Sequence, residues 1–472
     1  MDVRSRAALA AVAALLVLAG CTGGGEDGGG VGVDVGGVRG TPGAAGLRDP
    51  FFPKLGNGGY DVTHYALDLA YDPRSGRLDA TAMITARAGQ DLSAFNLDLA
   101  GLTVASASVD GEPAAVNRAG NELTIRPHED IDKGAVFRTT IAYSGVPETI
   151  TDADGSREGW LRTQDGAVAL GEPVGSMTWF PGNHHPSDKA TYDITLTVPQ
   201  GTQGISNGVR TSERTANGRT TSVWHSAEPM ASYLATVGVG RYETKVSATP
   251  SGLPVLTAAD PSVAEKSAPL LDRIPELLAW QEENFGPYPF SATGAIVERT
   301  GDAGYALETQ TRPVFPEDSL TPEILVHELA HQWYGNSVTP ATWQDMWLNE
   351  GFAVYAEWLY AEDFESVPAQ VNFEAAFAVD ANWAFPPAEP PAAENLFDPP
   401  VYQRGAMVLH KIRQQVGDDT FHEILTGWAA EHRHGNASTD DFTAYVDEVA
   451  GEDLDEVWDV WLYGDGRPKS SG

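Results

Sequence analysis

His327, Glu328 and His331 stand in the pattern His-Glu-Leu-Ala-His, and Glu350 follows eighteen residues later within Asn-Glu-Gly-Phe. On a helix, histidines four residues apart point from one face, so both imidazoles can reach one ion. Imidazole nitrogens bind Zn²⁺ at about 2.0–2.1 Å, and Glu350 would add an anionic oxygen from a second helix. Three protein ligands leave a fourth position for water, as catalytic zinc requires and structural zinc does not. Glu328 is placed to take a proton from that water. The predicted chemistry is hydrolysis assisted by one zinc per chain. With 11 histidines present, HExxH alone would arise by chance at roughly a few per cent, and the third carboxylate makes chance a poor explanation. An intact Glu328 argues against a metal site that has lost catalysis.

These residues need two helices. Pro322 suits a first helical position and Gly335 lies just past the end of a helix over Pro322–Trp333. Gly335 and Pro340 then mark a loop before a second helix, Trp347–Ala361. Helical patterns recur at 263–285, Val401–Gln415, Thr420–Ala430, Thr439–Ala450 and Leu454–Leu462, with strand-like patches at Tyr233–Gly240 and Ala295–Glu298. Upstream, from about 58 to 245, apolar and polar residues alternate between turn signals, as in the run from Tyr192 to Val198. The predicted fold is multi-domain, α and β. An N-terminal antiparallel β-sandwich or saddle (49–245) precedes an α+β domain (246–472) that carries the metal segment.

HELAHQWYG with the later NEGF resembles the aminopeptidase N family of gluzincin zinc metallopeptidases. GYALETQT (304–311) is similar to that family's GAMEN-type motif, and VYQRGAMVLHKIR (401–413) to its Tyr-x-Lys/Arg-Gly helix start. WFPGNHHPSDKATYDITLTVP (179–199) and YDVTHYALDLAYD (60–72) resemble its N-domain segments. The resemblance covers about 58 to 468 and implies a thermolysin-like catalytic domain. It implies that Glu308 grips the free N-terminus of a peptide, with Glu172 as a second contact. Tyr402 would stabilise the oxyanion, and the backbone of Ala306 and Leu307 would bind substrate as an added strand. The Gly and Asn of GAMEN are here Tyr305 and Thr309, and Leu170 stands where the family often has Gln. Asp345 and Asn349 are candidates to hold a ligating imidazole. Trp343 and Trp347 read as core or pocket wall, His184 and His185 as structural, and His410 as packed or solvated.

The first twenty residues read as a lipoprotein signal peptide. Arg4 and Arg6 precede an apolar run, Ala7 to Gly20, that is too short for a usual membrane span. It ends Leu18-Ala19-Gly20-Cys21, which resembles a bacterial lipobox with Cys21 as the lipidation site, and Cys21 is the chain's one cysteine. The Gly-rich stretch 21–48 reads as a flexible tether. The expected address is extracytoplasmic, lipid-anchored to the bacterial cell membrane. A net charge of −36 argues against nucleic-acid partners and against binding anionic headgroups by charge.

The reading that results is a lipid-anchored zinc aminopeptidase acting on peptides. No residues remain for the long helical domain with which larger members cap the site. An endopeptidase with an open cleft is therefore one rival. A related zinc hydrolase and a non-enzymatic surface binding protein are the others. Oligomeric state is not legible.

Overall fold

The computed structural model describes residues 40–152 and 155–469. The targeting segment, Cys21 and the tether up to residue 39 lie outside them. Among the described residues no helix is long and apolar enough to cross a membrane.

The first domain is built on the alternation seen in the sequence. Along strand Tyr60–Asp72, Val62, Tyr65, Leu67, Leu69 and Tyr71 are buried while their neighbours face outward. This strand turns at Gly76 (φ 71°) into Arg77–Ala88, its antiparallel neighbour in an eight-stranded sheet. On its other side it runs parallel to Lys189–Pro199, so the sheet is mixed and the purely antiparallel expectation is corrected. Alternation fixes which face a strand buries, but not the direction of the strand beside it. A five-stranded sheet includes Arg157–Arg162, Ala167–Leu170 and Val237–Gly240. All four residues of Ala167–Leu170 are buried, and the chain leaves that strand directly into Glu172.

Residues 40–48, assigned by composition to the tether, are joined to the first domain by backbone pairing, with Gly40, Gly43 and Gly46 buried. Thr41 and Pro42 pair with the strand Leu92–Asp98, and Gly43 N–H donates to the Ala94 carbonyl (2.9 Å).

The second domain opens with a four-stranded sheet, Glu243–Ala248, Pro254–Ala259, Thr293–Glu298 and Val314–Pro316. Its first strand already spans residue 245, so this sheet starts just before the expected division. The single helical stretch expected over 263–285 is two helices, α1 (Ala264–Leu271) and α2 (Ile274–Phe285). Pro275 lies in the first turn of α2, where its missing N–H is harmless and a continuing helix would be broken. The metal segment lies on α3 (Pro322–Ala330), whose N-terminus is capped by Thr321 Oγ1 accepting from Ile324 N–H (3.2 Å). Glu350 lies in the first turn of α4 (Trp347–Glu365). The helices α5 (Ala369–Ala378), α6 (Gly405–Val416), α7 (Asp418–Glu431) and α8 (Thr439–Ala450) complete the packing behind it. Of these, α5 was not anticipated.

Candidate metal centre and cleft

His327 Nε2 lies 3.3 Å from Glu350 Oε2, and His331 Nε2 lies 3.5 Å from the same oxygen. Tetrahedral ligands on bonds of about 2.0–2.1 Å sit about 3.3–3.4 Å apart, so these separations fit a zinc ion between the three side chains. All three are buried. One ligand atom from each of His327, His331 and Glu350 lies within 4.8 Å of the others, so the three converge on a common point. The electrostatics agree. Burial works to raise the Glu350 pKa, but the facing imidazoles of His331 and His327 hold it down to about 2. Burial works to lower His331, yet Glu308 and Glu350 push it up to about 9. Four glutamates around the two imidazoles, Glu308, Glu328, Glu350 and Glu357, make a cradle for positive charge, and a dication would take the place of the imidazole protons. Glu328 is pushed up to about 8 by burial and by Glu308 and Glu350, against the pull of the two imidazoles. Its Oε2 is buried without a partner. A metal dication would draw this carboxyl toward its ionised form and set it as a base near neutral pH.

The imidazoles are oriented by partners the sequence reading missed. His327 Nδ1 faces Glu357 Oε1 at 2.7 Å, and His331 Nδ1 faces the Tyr334 carbonyl at 3.0 Å. Glu357 follows Glu350 by seven residues, two helical turns along the same face of α4. Asp345 does not serve this role. Its oxygens accept from Thr342 N–H and Oγ1 and from Thr439 N–H and Oγ1, closing the turn before α4 onto the start of α8. Asn349 lies beside Gly335 near His331, but the Nδ1 of that ring is directed at Tyr334. Trp343 and Trp347 are buried core residues. His184, His185 and His410 are packed, bonded to the Phe180 carbonyl, Asp49 and Gln370 respectively.

Tyr402 stacks over His327, with ring centres 6.3 Å apart and planes within 16°. It sits in a π-helical turn, Pro400–Arg404, not in the plain helix expected from Val401. Two glycines let this turn approach α4. A Cβ on Gly351 would meet the Gly405 backbone at 2.9 Å, and one on Gly405 would meet Gly351 Cα at 3.0 Å. The glycines after Glu350 and after Arg404 thus seat the tyrosine over the metal ligands. Arg404, fully buried, fixes the turn from behind. It donates to the carbonyls of Trp461 (2.9 Å), Phe385 (3.1 Å) and Val460 (3.3 Å) and lies over the Trp383 ring. Burial first, then the surrounding carboxylates, raise the Tyr402 pKa well above its usual value, so its hydroxyl keeps its proton and remains a donor.

The ligands open onto a cavity of about 770 Å³. Glu308 and Glu172 both line it, each with Oε1 buried and unpartnered. Burial raises both pKa values. For Glu172 the nearby Glu308 adds to the effect, while for Glu308 the charge of His331 opposes it. Glu308 is held through its backbone, since its carbonyl accepts from Asn336 Nδ2 (2.6 Å) and Gln332 Nε2 (3.1 Å) at the end of the metal segment. Ala306 faces the cavity. Leu307 does not: its N–H and C=O are both bonded to Val314 (2.9 and 2.8 Å). The expectation that Leu307 presents backbone to substrate is therefore corrected. Eight lining side chains are Asp or Glu and none is Lys or Arg, so the cleft is strongly acidic in composition.

Two family descriptions match the chain: the peptidase M1 N-terminal domain over residues 61–234 and the peptidase family M1 domain over residues 314–461. The chain belongs to peptidase family M1. His327, Glu328, His331, Glu350 and Tyr402 fall in the M1 domain match and Glu172 in the N-terminal one, while Glu308 lies between them. A two-domain M1 zinc metallopeptidase solved with L-arginine superposes with a TM-score of 0.85 at 29% identity, over 90% of this chain and 99% of that one. An M1 zinc metallopeptidase from Deinococcus radiodurans, solved with a Tyr-Ser-Ala substrate, gives 0.84 at 29% identity, over 90% of this chain and all of that one. Among curated relatives, Aminopeptidase M1-A of Oryza sativa subsp. japonica is 31% identical over 64% of this chain and 37% of its own length. Glutamyl aminopeptidase of Rattus norvegicus is 26% identical over 73% and 40%. This M1 chain thus spans well under half the length of those relatives.

Proposed function

We propose that this M1 chain is a zinc-dependent aminopeptidase that hydrolyses the N-terminal residue from peptides. The observation that carries the reading is the pair Glu308 and Glu172. Two buried carboxyls with unpartnered oxygens share one cavity with the candidate metal ligands, a setting that suits a cationic hydrogen-bond donor. A peptide's α-ammonium would lower the pKa of both, and holding it there sets the first peptide bond beside the metal. His327, His331 and Glu350 would hold the zinc, with Glu357 and the Tyr334 carbonyl fixing the rings. When bound, the metal supplies Lewis acidity for the scissile carbonyl and for a water. Glu328 takes a proton at its free Oε2 from the water whose oxygen adds to the scissile carbonyl carbon, and returns it to the amine nitrogen as the C–N bond breaks. The Tyr402 hydroxyl donates to the carbonyl oxygen as negative charge grows on it. Ala306 offers backbone to the extended substrate. The related structures that hold L-arginine and Tyr-Ser-Ala support a peptide or amino-acid ligand in such a cleft. The deciding experiment is Glu328→Gln. It should retain zinc and lose turnover, whereas a variant with wild-type kcat contradicts the proposal.

The same proposal includes an extracytoplasmic address through lipid on Cys21. Its support is in the sequence: the basic start, the short apolar run and a single cysteine directly after Leu-Ala-Gly. Cys21→Ser should move the protein from the membrane fraction to the soluble one, and unchanged fractionation contradicts the anchor.

A further inference from the structure

Residues 40–58 precede both matched spans of the family, yet they reach the cleft. Asp49 is 3% exposed, and four donors surround its carboxylate. Oδ1 accepts from Phe51 N–H (2.8 Å) and Phe52 N–H (3.0 Å) within its own turn. Oδ2 accepts from Trp343 N–H (2.9 Å) and pairs with His185 Nε2 (3.2 Å). A buried carboxylate so saturated is a strong fixing point, since its loss leaves several enclosed donors unsatisfied. Gly56 N–H on Asp98 Oδ2 (3.0 Å) and Asn57 N–H on Asn183 Oδ1 (2.6 Å) fasten the segment beyond. Between these points Phe52 is half-buried. Its ring stands edge-on to Trp343, centroids 5.9 Å apart, and it lines the cavity that holds the metal ligands. Trp343 in turn packs on Tyr233, whose hydroxyl donates to the Gly335 carbonyl beside His331. The segment is thus a strap running over the first domain and pinned to the second at the turn before α4.

We propose that Phe52 is a specificity-determining residue of the peptide cleft, supplying an apolar wall for one substrate side chain, and that Asp49 is its positioning residue. The inference rests on the aminopeptidase reading for its substrate class. A fixed aromatic ring in a cavity otherwise rich in carboxylates gives an apolar side chain a surface on which to leave water. His185, which has no part in the chemistry, acquires a role: it and the Trp343 N–H hold Asp49, and Asp49 holds the turn that aims Phe52.

The test uses the full-length, zinc-loaded enzyme and the tripeptides Ala-Ala-Ala, Leu-Ala-Ala, Ala-Leu-Ala and Ala-Ala-Leu. Selectivity is read as the ratio of kcat/KM for each leucine peptide to that for Ala-Ala-Ala. Phe52→Ala should lower that ratio about tenfold at one position, the effect of uncovering one side chain's contact area, and leave it unchanged at the other two. Asp49→Asn should shift the same position in the same direction, with Phe52 intact. Equal losses on all four peptides, unchanged ratios, or a wild type with no preference for leucine at any position would overturn the proposal. Dissociation constants of the same peptides with Glu328→Gln enzyme, with and without Phe52→Ala, give the selectivity without turnover. A wild type that binds the panel selectively through Phe52 but releases no N-terminal residue would contradict the aminopeptidase reading and leave Phe52 supported.

Discussion

Glu357 is the sharpest point at which the three-dimensional arrangement goes beyond the motif. Its Oε1 lies 2.7 Å from His327 Nδ1, so it accepts a charge-assisted hydrogen bond and raises the basicity of the ligating nitrogen. Such a bond contributes about 1.5–3 kcal/mol, roughly 10- to 150-fold in an equilibrium constant. Glu357 is partly open to solvent, with 23% of its side chain exposed, so water can replace it in part and the lower end applies. Glu357→Ala should therefore weaken zinc binding about 10- to 30-fold. The proton competes for the same nitrogen, because Glu350 and Glu357 also raise the His327 pKa against the lowering effect of burial. Removing Glu357 weakens both the proton and the metal, so the loss should be larger at pH 9 than at pH 6.5. The assay is competition for zinc against a chelator of known affinity at both pH values, with Glu394→Gln as a control. Glu394 lines the same cavity but contacts neither imidazole. A zinc affinity for Glu357→Ala equal to that of the control at pH 9 would refute the assigned role.

Three further outcomes are expected. Tyr402→Phe should cut kcat by about 10²–10³ while zinc content stays at one per chain; a kcat within twofold of wild type, by steady-state kinetics, removes Tyr402 from the mechanism. Glu308→Gln should lower kcat/KM for a free peptide roughly 10- to 100-fold through loss of a charge-assisted bond, and should narrow the discrimination against its acetylated form by the same factor. His184 is buried with Nε2 on the Phe180 carbonyl and Nδ1 unpartnered, and burial pulls its pKa down to about 4. Its unfolded value is about 6.5, so its stabilising effect is complete above that pH and declines as pH falls from about 6.5 to 4, by at most about 3 kcal/mol. Urea midpoints at pH 7.5 and 5 should show this slope in the wild type and less of it in His184→Gln. The variant comparison separates His184 from Asp98 and Glu122, whose pKa values, raised to about 7 mainly by burial, slope the other way. Identical slopes in the two proteins would contradict the assignment.

His327, Glu328 and His331 were legible in the sequence because helical spacing alone sets them side by side, whereas Glu350, on a second helix, was legible by its distance from them and its Asn-Glu-Gly-Phe setting. Tyr402 and Glu308 were legible only through family resemblance, as a single tyrosine or glutamate carries no signal of its own. What escaped was set by contacts between distant segments. Glu357 meets His327 because of how α4 crosses α3; its position seven residues after Glu350 was the available sign. Asp345 was one of two candidates to hold an imidazole, although Thr342 three residues earlier marks a capping box. Leu307 was offered to substrate because its pairing with Val314 depends on a return of the chain. The parallel neighbour of Tyr60–Asp72 escaped for the same reason, since it lies more than a hundred residues on. The strap around Asp49 and Phe52 falls at the start of the 49–245 domain, ahead of its alternating strands, and nothing in its local sequence marks the buried carboxylate that pins it to Trp343 and His185.

The central claim is that a zinc site and an ammonium grip act on the same peptide. Its most direct test is hydrolysis of one peptide with a free and with an acetylated N-terminus, by protein lacking residues 1–39, with and without a zinc chelator. The account predicts release of the first residue from the free peptide alone, abolished by the chelator and restored by zinc. Internal cleavage of both peptides at similar rates would contradict it and make the cleft that of an endopeptidase.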